Sequence, residues 1–444
     1  RQKTSSVIVL SSKSWVSVNN LYLLNNAKNC LTLLGSFFVN CHAIFCSQII
    51  LVLNICVFHN FFVLLQQNLL ISHAMKKSSS ILLALIFSLS GSLSAQGHHS
   101  FPLKDASKSY VRLLFAGDAM QHSVQYKWAW NPNTKSYDYE PNFRYLRPHL
   151  AEADINVVNF ETTLSGEPYS GYPRFRSPDA YFHELLDAGF QVFGLANNHV
   201  MDGDKEGFAR TLEKLAPYPN MGAYMDTSQR SQQYPLIFHI DGMKIALFTA
   251  TYGTNQLLPV APNWVNYIET EQLEIDMAKT MQDSTIDLRI MYIHWGTEYE
   301  LLHNAFQAGV GQWLADLGID LIIGSHSHVV QDYEVVTAKD GRRVPIVYGL
   351  GNLISNQRWE DSNGGVMATV DIDRTTKRIT RIDYIPVYVH KGSLLGERRN
   401  YYCIPTHDYL QGKLPFSLPN DSLEQDLRLF HNNVIKRLVI EYYR

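Results

Sequence analysis

The chain has 444 residues, of which 46% are hydrophobic and 12% aromatic, with 38 basic and 41 acidic side chains for a formal charge of −3. Six of the 38 basic residues and none of the 41 acidic ones lie in residues 1–95, so the rest carries 32 against 41, or −9; that excess of acid argues against nucleic-acid binding, because phosphate backbones call for a basic face. Cys30, Cys41, Cys46 and Cys56 all fall in that first stretch and Cys403 stands alone after it, so no disulfide within residues 96–444 contributes and the core must carry stability.

Residues 1–74 contain no Asp, Glu or Pro and are rich in Asn, Leu, Phe, Ile, Val and Ser, a composition that reads as translated AT-rich upstream DNA ahead of Met75. The following segment, MKKSSSILLALIFSLSGSLSAQ, has a short basic start, an apolar run from Ile81 and a small-residue end at Ser92-Leu93-Ser94-Ala95. It reads as a secretory signal over 75–95, cleaved before Gln96, which predicts export to the periplasm or beyond. The competing reading takes residues 31–71, which carry no charge, as a membrane segment, since that length spans a bilayer. What remains suffices for one large domain over 96–395 with an extension over 396–444.

Short runs rich in Val, Ile, Leu and Phe predict strands at 111–116, 155–159, 192–196, 244–249, 288–293, 321–323, 345–348 and 366–372. Several lack clean alternation, as expected for strands buried on both faces. Between them, helical patterns occupy 179–188 ahead of Gly189, 204–215 ahead of Pro217, 269–281, and 305–317 ahead of Gly318. Strands alternating with helices predict an α/β layered fold. Residues 127–149, with Trp128, Trp130, Tyr137, Tyr139, Phe143 and Tyr145, form an aromatic stretch after the first strand, expected to pack down rather than to line a substrate wall. Near the C-terminus, Ser422 with Gln425 predicts a capping box, and Leu423, Leu427, Phe430, Val434 and Leu438 share one face of a helix that docks on the domain.

Polar residues with metal-ligating side chains cluster at the ends of these strands, where an open α/β sheet exposes side chains beyond its carboxyl edge. Gly117-Asp118 follows the first strand and Asn159-Phe160-Glu161 closes the second. Asn198-His199 and Asp202 follow the third, His294 ends the fifth, and Gly324-Ser325-His326-Ser327-His328 follows the sixth. Each has a plain alternative: Gly-Asp is commonly a turn, a lone histidine is commonly packed in a core, and Asp202 or Asp204 can cap the helix that begins near 204. In His326-Ser327-His328, alternate strand-like residues face the same way, so both imidazoles reach one site. Recurrence of such endings is what points to metal. Asp118, Glu161, Asn198, His294, His326 and His328 together offer carboxylate, amide oxygen and imidazole ligands for one or two divalent ions, with Mn, Zn or Fe the best matches.

The stretches FAGDAM, NFETTLSG, RFRSPDAYFHELLDAGFQVFGLANNHVMDGDKEGF, HWGTEYE, GIDLIIGSHSHVVQDYE and YGLGNLISNQ, in that order over about 111–357, closely resemble the CapA family. That family is named for poly-γ-glutamate capsule synthesis and is similar in fold to calcineurin-like metallophosphoesterases. The resemblance implies a four-layer αββα sandwich with a metal site at the strand ends. It places Asp118 as the first-motif aspartate, Glu161 as the carboxylate shared by two metals, Asn198 as the amide ligand, and His294, His326 and His328 as the imidazole ligands. It also makes His199 the histidine that hydrogen-bonds or protonates the leaving group; Asp202, three residues on, is a second catalytic candidate. Position 120 is Met where the superfamily has His, with His122 out of register, which leaves the first metal weakly held or absent. The bridging motif departs as well, being Asn-x-Glu rather than Gly-Asp.

Two cations about 3.5 to 4 Å apart activate water and stabilise charge developing on phosphoryl oxygen. Arg176 and Arg174, in Pro-Arg-Phe-Arg-Ser-Pro, are the candidates to clamp an anionic substrate group, against the plain reading of surface ion pairs. Three functions follow: a hydrolase acting on a phosphoester or an anionic envelope polymer such as a γ-glutamyl chain, a non-catalytic factor that binds a polyanion or positions capsule synthesis machinery, and an amidase or peptidase using the same activated water. Family likeness alone does not choose among them.

Overall fold

The computed structural model describes residues 97–438; the readings made of residues 1–74 and of the signal segment 75–95 lie outside the described residues. The described chain begins with β1 (His98–Ser100) and β2 (Tyr110–Ala119), then α1 (Ser123–Ala129), a small ribbon of β3 (Trp130–Asn131) and β4 (Ser136–Tyr137), and the short helices α2 (Glu140–Phe143) and α3 (Arg147–Glu152). Two strand–helix units follow, β5 (Ile155–Phe160) with α4 (Asp179–Ala188) and β6 (Val192–Gly194) with α5 (Asp204–Leu215). The pieces β7 (Asn220–Met221), β8 (Ala223–Tyr224) and α6 (Thr227–Gln233) lead to a hairpin of β9 (Leu236–Ile240) and β10 (Met243–Thr251). Next come β11 (Trp264–Val265), α7 (Thr270–Met281), β12 (Leu288–His294), α8 (Ala305–Leu317), β13 (Leu321–Ser325), β14 (Tyr333–Thr337) and β15 (Arg343–Val347). The chain ends with β16 (Asn352–Ile354), β17 (Gly364–Asp373), β18 (Ile379–Gly392), β19 (Asn400–Pro405), α9 (Thr406–Leu410) and α10 (Asp421–Arg437).

Apart from the two-stranded ribbons β3-β4 and β8-β11, these strands build two sheets, one of seven strands in the order β1-β9-β10-β12-β13-β15-β14 and one of eight in the order β19-β18-β17-β2-β5-β6-β7 with β16 also on β2. Side-chain alternation shows how they stack. On β2, Leu113 and Phe115 join a core shared with Ile245 and Leu247 of β10, whereas Leu114 and Ala116 face Phe143, Tyr181, Leu185 and Phe208 of the helices. On β12, Ile290 and Tyr292 point into the shared core while Met291 and Ile293 pack with Leu273, Met277 and Leu314 of α7 and α8. Both faces of each sheet are therefore buried, and the layers run helix, sheet, sheet, helix, the αββα sandwich.

Helices α4 and α8 stop where the sequence says, because Gly189 (φ 118°) and Gly318 (φ 110°) adopt the left-handed conformation that ends them. The C-terminal helix starts two residues before the expected capping box: Asn420, not Ser422, is its N-cap, accepting from the Leu423 amide at 3.0 Å. Its face is the expected one, with Leu427, Phe430, Val434 and Leu438 buried in the inter-sheet core. Residues 396–438 also supply β19, the edge strand paired with β18. Within the aromatic stretch, Tyr139, Phe143 and Tyr145 are packed in the interior. Among the described residues no helix is long and apolar enough to cross a membrane.

Candidate metal centre

Strand β2 delivers Asp118 through a close backbone contact. A Cβ at Gly117 would lie 1.9 Å from the Gly351 carbonyl oxygen, so only glycine lets the Asp118 amide donate to that oxygen at 3.0 Å. The β2–β5 register shifts between Ala116 and Asp118, a bulge that re-aims the carboxylate. Asn159, the fifth residue of β5, donates from Nδ2 to Asp118 Oδ1 at 2.8 Å and to Glu161 Oε2 at 2.9 Å, which pins the two carboxylates side by side. Asn198 follows β6 and brings its Oδ1 to 3.0 Å from His294 Nε2.

The other sheet delivers imidazoles. His294 is the last residue of β12 and pairs in register with Ser325, whose Oγ lies 2.9 Å from His294 Nδ1. His326 and His328 do not lie on a strand as the alternation argument expects: β13 ends at Ser325, and both residues sit in a turn at positive φ, 94° and 57°. Such backbone costs about 1–3 kcal/mol per residue and is tolerated by His better than by most side chains. The result is nonetheless a shared site, with the His294 and His326 rings 4.7 Å apart and those of His326 and His328 5.9 Å apart. Gly324 allows the turn, since a Cβ there would meet the Tyr348 carbonyl oxygen at 2.0 Å.

Glu161 Oε1 stands between these imidazoles, 3.9 Å from His294 Nε2 and 4.0 Å from His328 Nε2. Two sets of side chains converge with ligand atoms within 4.8 Å of one another: Asp118, Glu161 and His294, and Glu298, His326 and His328. Glu298 was not among the predicted ligands. It lies in the HWGTEYE stretch, four residues after His294 on an irregular loop where no strand or helix period marks it. Asn159 was likewise read only as part of a motif, and Asn352, whose Oδ1 lies 3.1 Å from His328 Nδ1, was not singled out.

Electrostatics supports a cation here. Burial, and then the charge of Asp118, pushes the Glu161 pKa well above the ordinary glutamate value. Burial also works against the Asp118 carboxylate, yet the hydrogen bond and charge of His328, helped by Asn159 and His326, hold its pKa below the usual value. Burial and neighbouring imidazoles depress His294 well below the usual histidine range and bring His326 down to about 3, so both are neutral and able to ligate. Glu161 Oε1 and His326 Nδ1 are buried without any hydrogen-bond partner. Unpartnered polar atoms this deep cost about 1–3 kcal/mol each, a penalty that coordination to an ion removes. The donor set of carboxylate, amide and neutral imidazole fits a divalent metal.

His199 stands at the edge of this cluster, packed edge-on against Phe175 with ring centroids 4.5 Å apart. Its Nδ1 lies 2.7 Å from Asp202 Oδ2, which also accepts from the Phe175 amide at 2.6 Å. Asp202 therefore holds a histidine rather than capping α5, whose N-cap is Gly203 with no side-chain cap; Asp204 lies inside the helix. Arg176 directs its guanidinium to Asp204 Oδ2 at 3.1 Å and to the Asp202 carbonyl at 3.3 Å, and Arg174 bonds the same carbonyl at 2.9 Å and pairs with Asp204. Met120 is buried, and its carbonyl accepts from Gln125 at 2.9 Å and Tyr181 at 3.2 Å. His122 bonds Gln125 and the Asn356 amide and belongs to neither ligand set.

Residues 112–357 match the family described as bacterial capsule synthesis protein PGA_cap. The chain is 26% identical over 360 residues to "Capsule biosynthesis protein CapA" of Bacillus anthracis, covering 76% of this chain and 82% of that one. It is 23% identical over 314 residues to "PGA biosynthesis protein CapA" of Bacillus subtilis (strain 168), covering 66% and 75%. Among solved structures, a phosphatase from Mycoplasma pneumoniae aligns over 63% of this chain and 94% of its own at 16% identity and a TM-score of 0.38. The calcineurin-like phosphoesterase YfkN from Bacillus subtilis aligns over 74% and 98% at 12% identity and a TM-score of 0.34.

Proposed function

Because the chain belongs to the bacterial capsule synthesis protein family PGA_cap, we propose that it is an exported, metal-dependent hydrolase of the cell envelope that cleaves a phosphoester or a bond in an anionic polymer such as a γ-glutamyl chain. The observation that carries this reading is the buried, unpartnered Glu161 Oε1, 3.9 and 4.0 Å from two imidazole nitrogens that come from the opposite sheet. The relatives' names, capsule biosynthesis and PGA biosynthesis, support an envelope polymer as the setting.

Asp118, Glu161, Asn198, His294, His326, His328 and Glu298 would hold one or two divalent ions of the Mn, Zn or Fe kind. When bound, such ions lower the pKa of water and stabilise charge developing on an oxygen of the substrate. The chain's own groups do the rest. Asn159 fixes the two carboxylates, and Ser325 and Asn352 fix the imidazoles of His294 and His328 through their Nδ1 atoms. Asp202 accepts from His199 Nδ1 and so sets the imidazole's orientation, leaving Nε2 to pass a proton to the departing group.

One observation favours a second reading, a non-catalytic factor that binds a polyanion. Met120 brings no donor to the place where the superfamily pattern has an imidazole, and its carbonyl is committed to Gln125 and Tyr181. Elemental analysis of protein purified without chelator decides between them, with the His326→Ala, His328→Ala double variant as control. Metal lost in the variant, together with metal-dependent turnover in a screen of phosphoesters and γ-glutamyl substrates, is expected for the hydrolase. Absence of metal from both proteins after supplementation would leave the polymer-binding reading.

A further inference from the structure

Cations of this fold are in the main neutralised: Arg112 holds Asp371, Arg230 holds Asp276, Arg342 holds Asp320, and Arg437 holds Asp361. Others, Lys391 and Arg358 among them, are not, and Lys104 and Arg289, like Lys391, bond backbone carbonyls. Among the described residues no carboxylate makes an ion pair with Lys391 or Arg358; Arg358 bears on Lys391, and Lys391 lies within charge range of His122, as His328 does. Lys391 lies near the end of β18, partly buried, and its Nζ donates to the carbonyl of Gln357. Arg358 is the next residue, exposed, and close enough for its charge to bear on Lys391 and on Tyr401.

Gln357 ties this pair to the ligands. Its Oε1 accepts from Asn352 Nδ2 at 2.9 Å, Asn352 Oδ1 lies 3.1 Å from His328 Nδ1, and Gln357 Nε2 donates to Tyr299 Oη at 3.2 Å. His122 lies in the gap, near enough to His328, Lys391 and His199 to feel each charge, with its pKa drawn down to about 4, first by burial. It is neutral and adds no competing charge. Tyr299 and the exposed Trp359, with ring centroids 4.9 Å apart, form the rim.

We propose that Lys391 and Arg358 form a second anion subsite beside the metal centre, which takes a carboxylate or phosphate group of the substrate other than the one under attack. The proposal deepens the hydrolase reading and rests on it for the placement of the reacting bond: it makes the substrate a polyanion rather than a simple monoester. The physical reason is cost. A partly buried ammonium without a counter-charge is unfavourable, and burial, then the charge of Arg358, brings the Lys391 pKa down to about 7. An incoming anion supplies the missing partner, and the arginine fork adds paired donors suited to carboxylate or phosphate. In a chain with excess acid, such a pair also focuses the field where a polyanion must enter.

The test is binding to the metal-loaded full chain, measured by calorimetry with two probes, a γ-glutamyl oligomer and inorganic tripolyphosphate. Proteins compared are wild type, Arg358→Gln, Lys391→Met, the double variant and Lys391→Arg, with bound metal quantified in each. Loss of one charge-assisted contact weakens affinity by about tenfold, so the double variant is expected to lose at least that for one probe while Lys391→Arg keeps most of it. Weakening confined to the oligomer assigns a carboxylate, and weakening confined to tripolyphosphate assigns a phosphate. Wild-type affinity of the double variant for both probes overturns the subsite. Arg358→Gln, at an exposed position, guards against a folding artefact at Lys391. The hydrolase reading fails separately: absence of metal-dependent turnover, with the charge-dependent binding intact, removes the reaction and leaves the subsite.

Discussion

The eight-stranded sheet contributes Asp118 and Glu161 with the amides of Asn159, Asn198 and Asn352, whereas the seven-stranded sheet contributes His294, His326 and His328. The oxygen side holds itself together, because Asn159 bonds both carboxylates and Gly117 lets the backbone lock under Asp118. The imidazole side holds itself at a cost: two consecutive ligands have positive φ, and His326 Nδ1 has no partner. Glu161 Oε1, on the oxygen side, shares this unpartnered state and faces the imidazoles. The two sides are thus preformed unequally, and an ion bound between them would give a partner to one orphaned atom on each, Glu161 Oε1 and His326 Nδ1.

The substitution with the largest expected effect removes the oxygen at that junction. Glu161→Gln keeps the shape but deletes the shared charge, so elemental analysis should find bound metal lost and turnover reduced by at least about 10⁴-fold, given that metal-centred charge stabilisation amounts to several kcal/mol. Retention of full metal content would show that the imidazoles and Asp118 suffice without the junction. Next in size is His199→Ala, which leaves every ligand in place. Turnover should fall by about 10²–10⁴-fold with metal content unchanged, and Asp202→Asn, which weakens the hold on the imidazole and alters the acceptor of the Phe175 amide, by about 10–100-fold. Equal metal loss in either variant would move this pair from proton transfer to metal binding.

Asn159→Ala tests the oxygen side's self-sufficiency. It leaves two buried carboxylates side by side without their common donor, so metal affinity measured by chelator competition should weaken by about 10–100-fold, the range typical for groups that orient ligands. An unchanged affinity would mean that the bulge at Asp118 alone sets the geometry.

Much of the oxygen side and both sheets were legible in the sequence, for identifiable reasons. Strands β2, β5, β12 and β13 are buried on both faces, so their hydrophobic runs end at or just before the candidate ligands. Helices α4, α5 and α8 were readable because a glycine or proline follows each amphipathic run. Strand β18 was missed: its first half, with Thr380 and Arg381 exposed, resembles a polar connection, and only pairing with β17 makes it a strand. The four-layer sandwich that the family resemblance implies is the one found, but Glu298 was invisible because a loop glutamate has no periodic signature. His326 and His328 converge as expected but by another route, since strand-like alternation suggested it and backbone at positive φ achieves it.

Lys391 gives the smallest effect and a test of the cationic wall that needs neither metal nor substrate. Its folded pKa of about 7 lies below the ordinary 10.5, through burial first and then the charge of Arg358. Below about pH 7 the lysine is protonated in both folded and unfolded chains, and the full penalty for holding the charge in the fold is present. Between about 7 and 10.5 the unfolded chain keeps a proton that the folded chain releases, so stability gains with pH through that window. The Lys391→Met protein has no such group. Its advantage in melting temperature over wild type should therefore be greatest near neutral pH and shrink toward pH 10, a change of a few °C for about 1 kcal/mol in a chain of this size. A pH-independent difference would place the ammonium in water rather than in the wall. Saturating the wild type with an anion that pairs with Lys391 should flatten its own climb, because the partner restores the lysine's affinity for its proton.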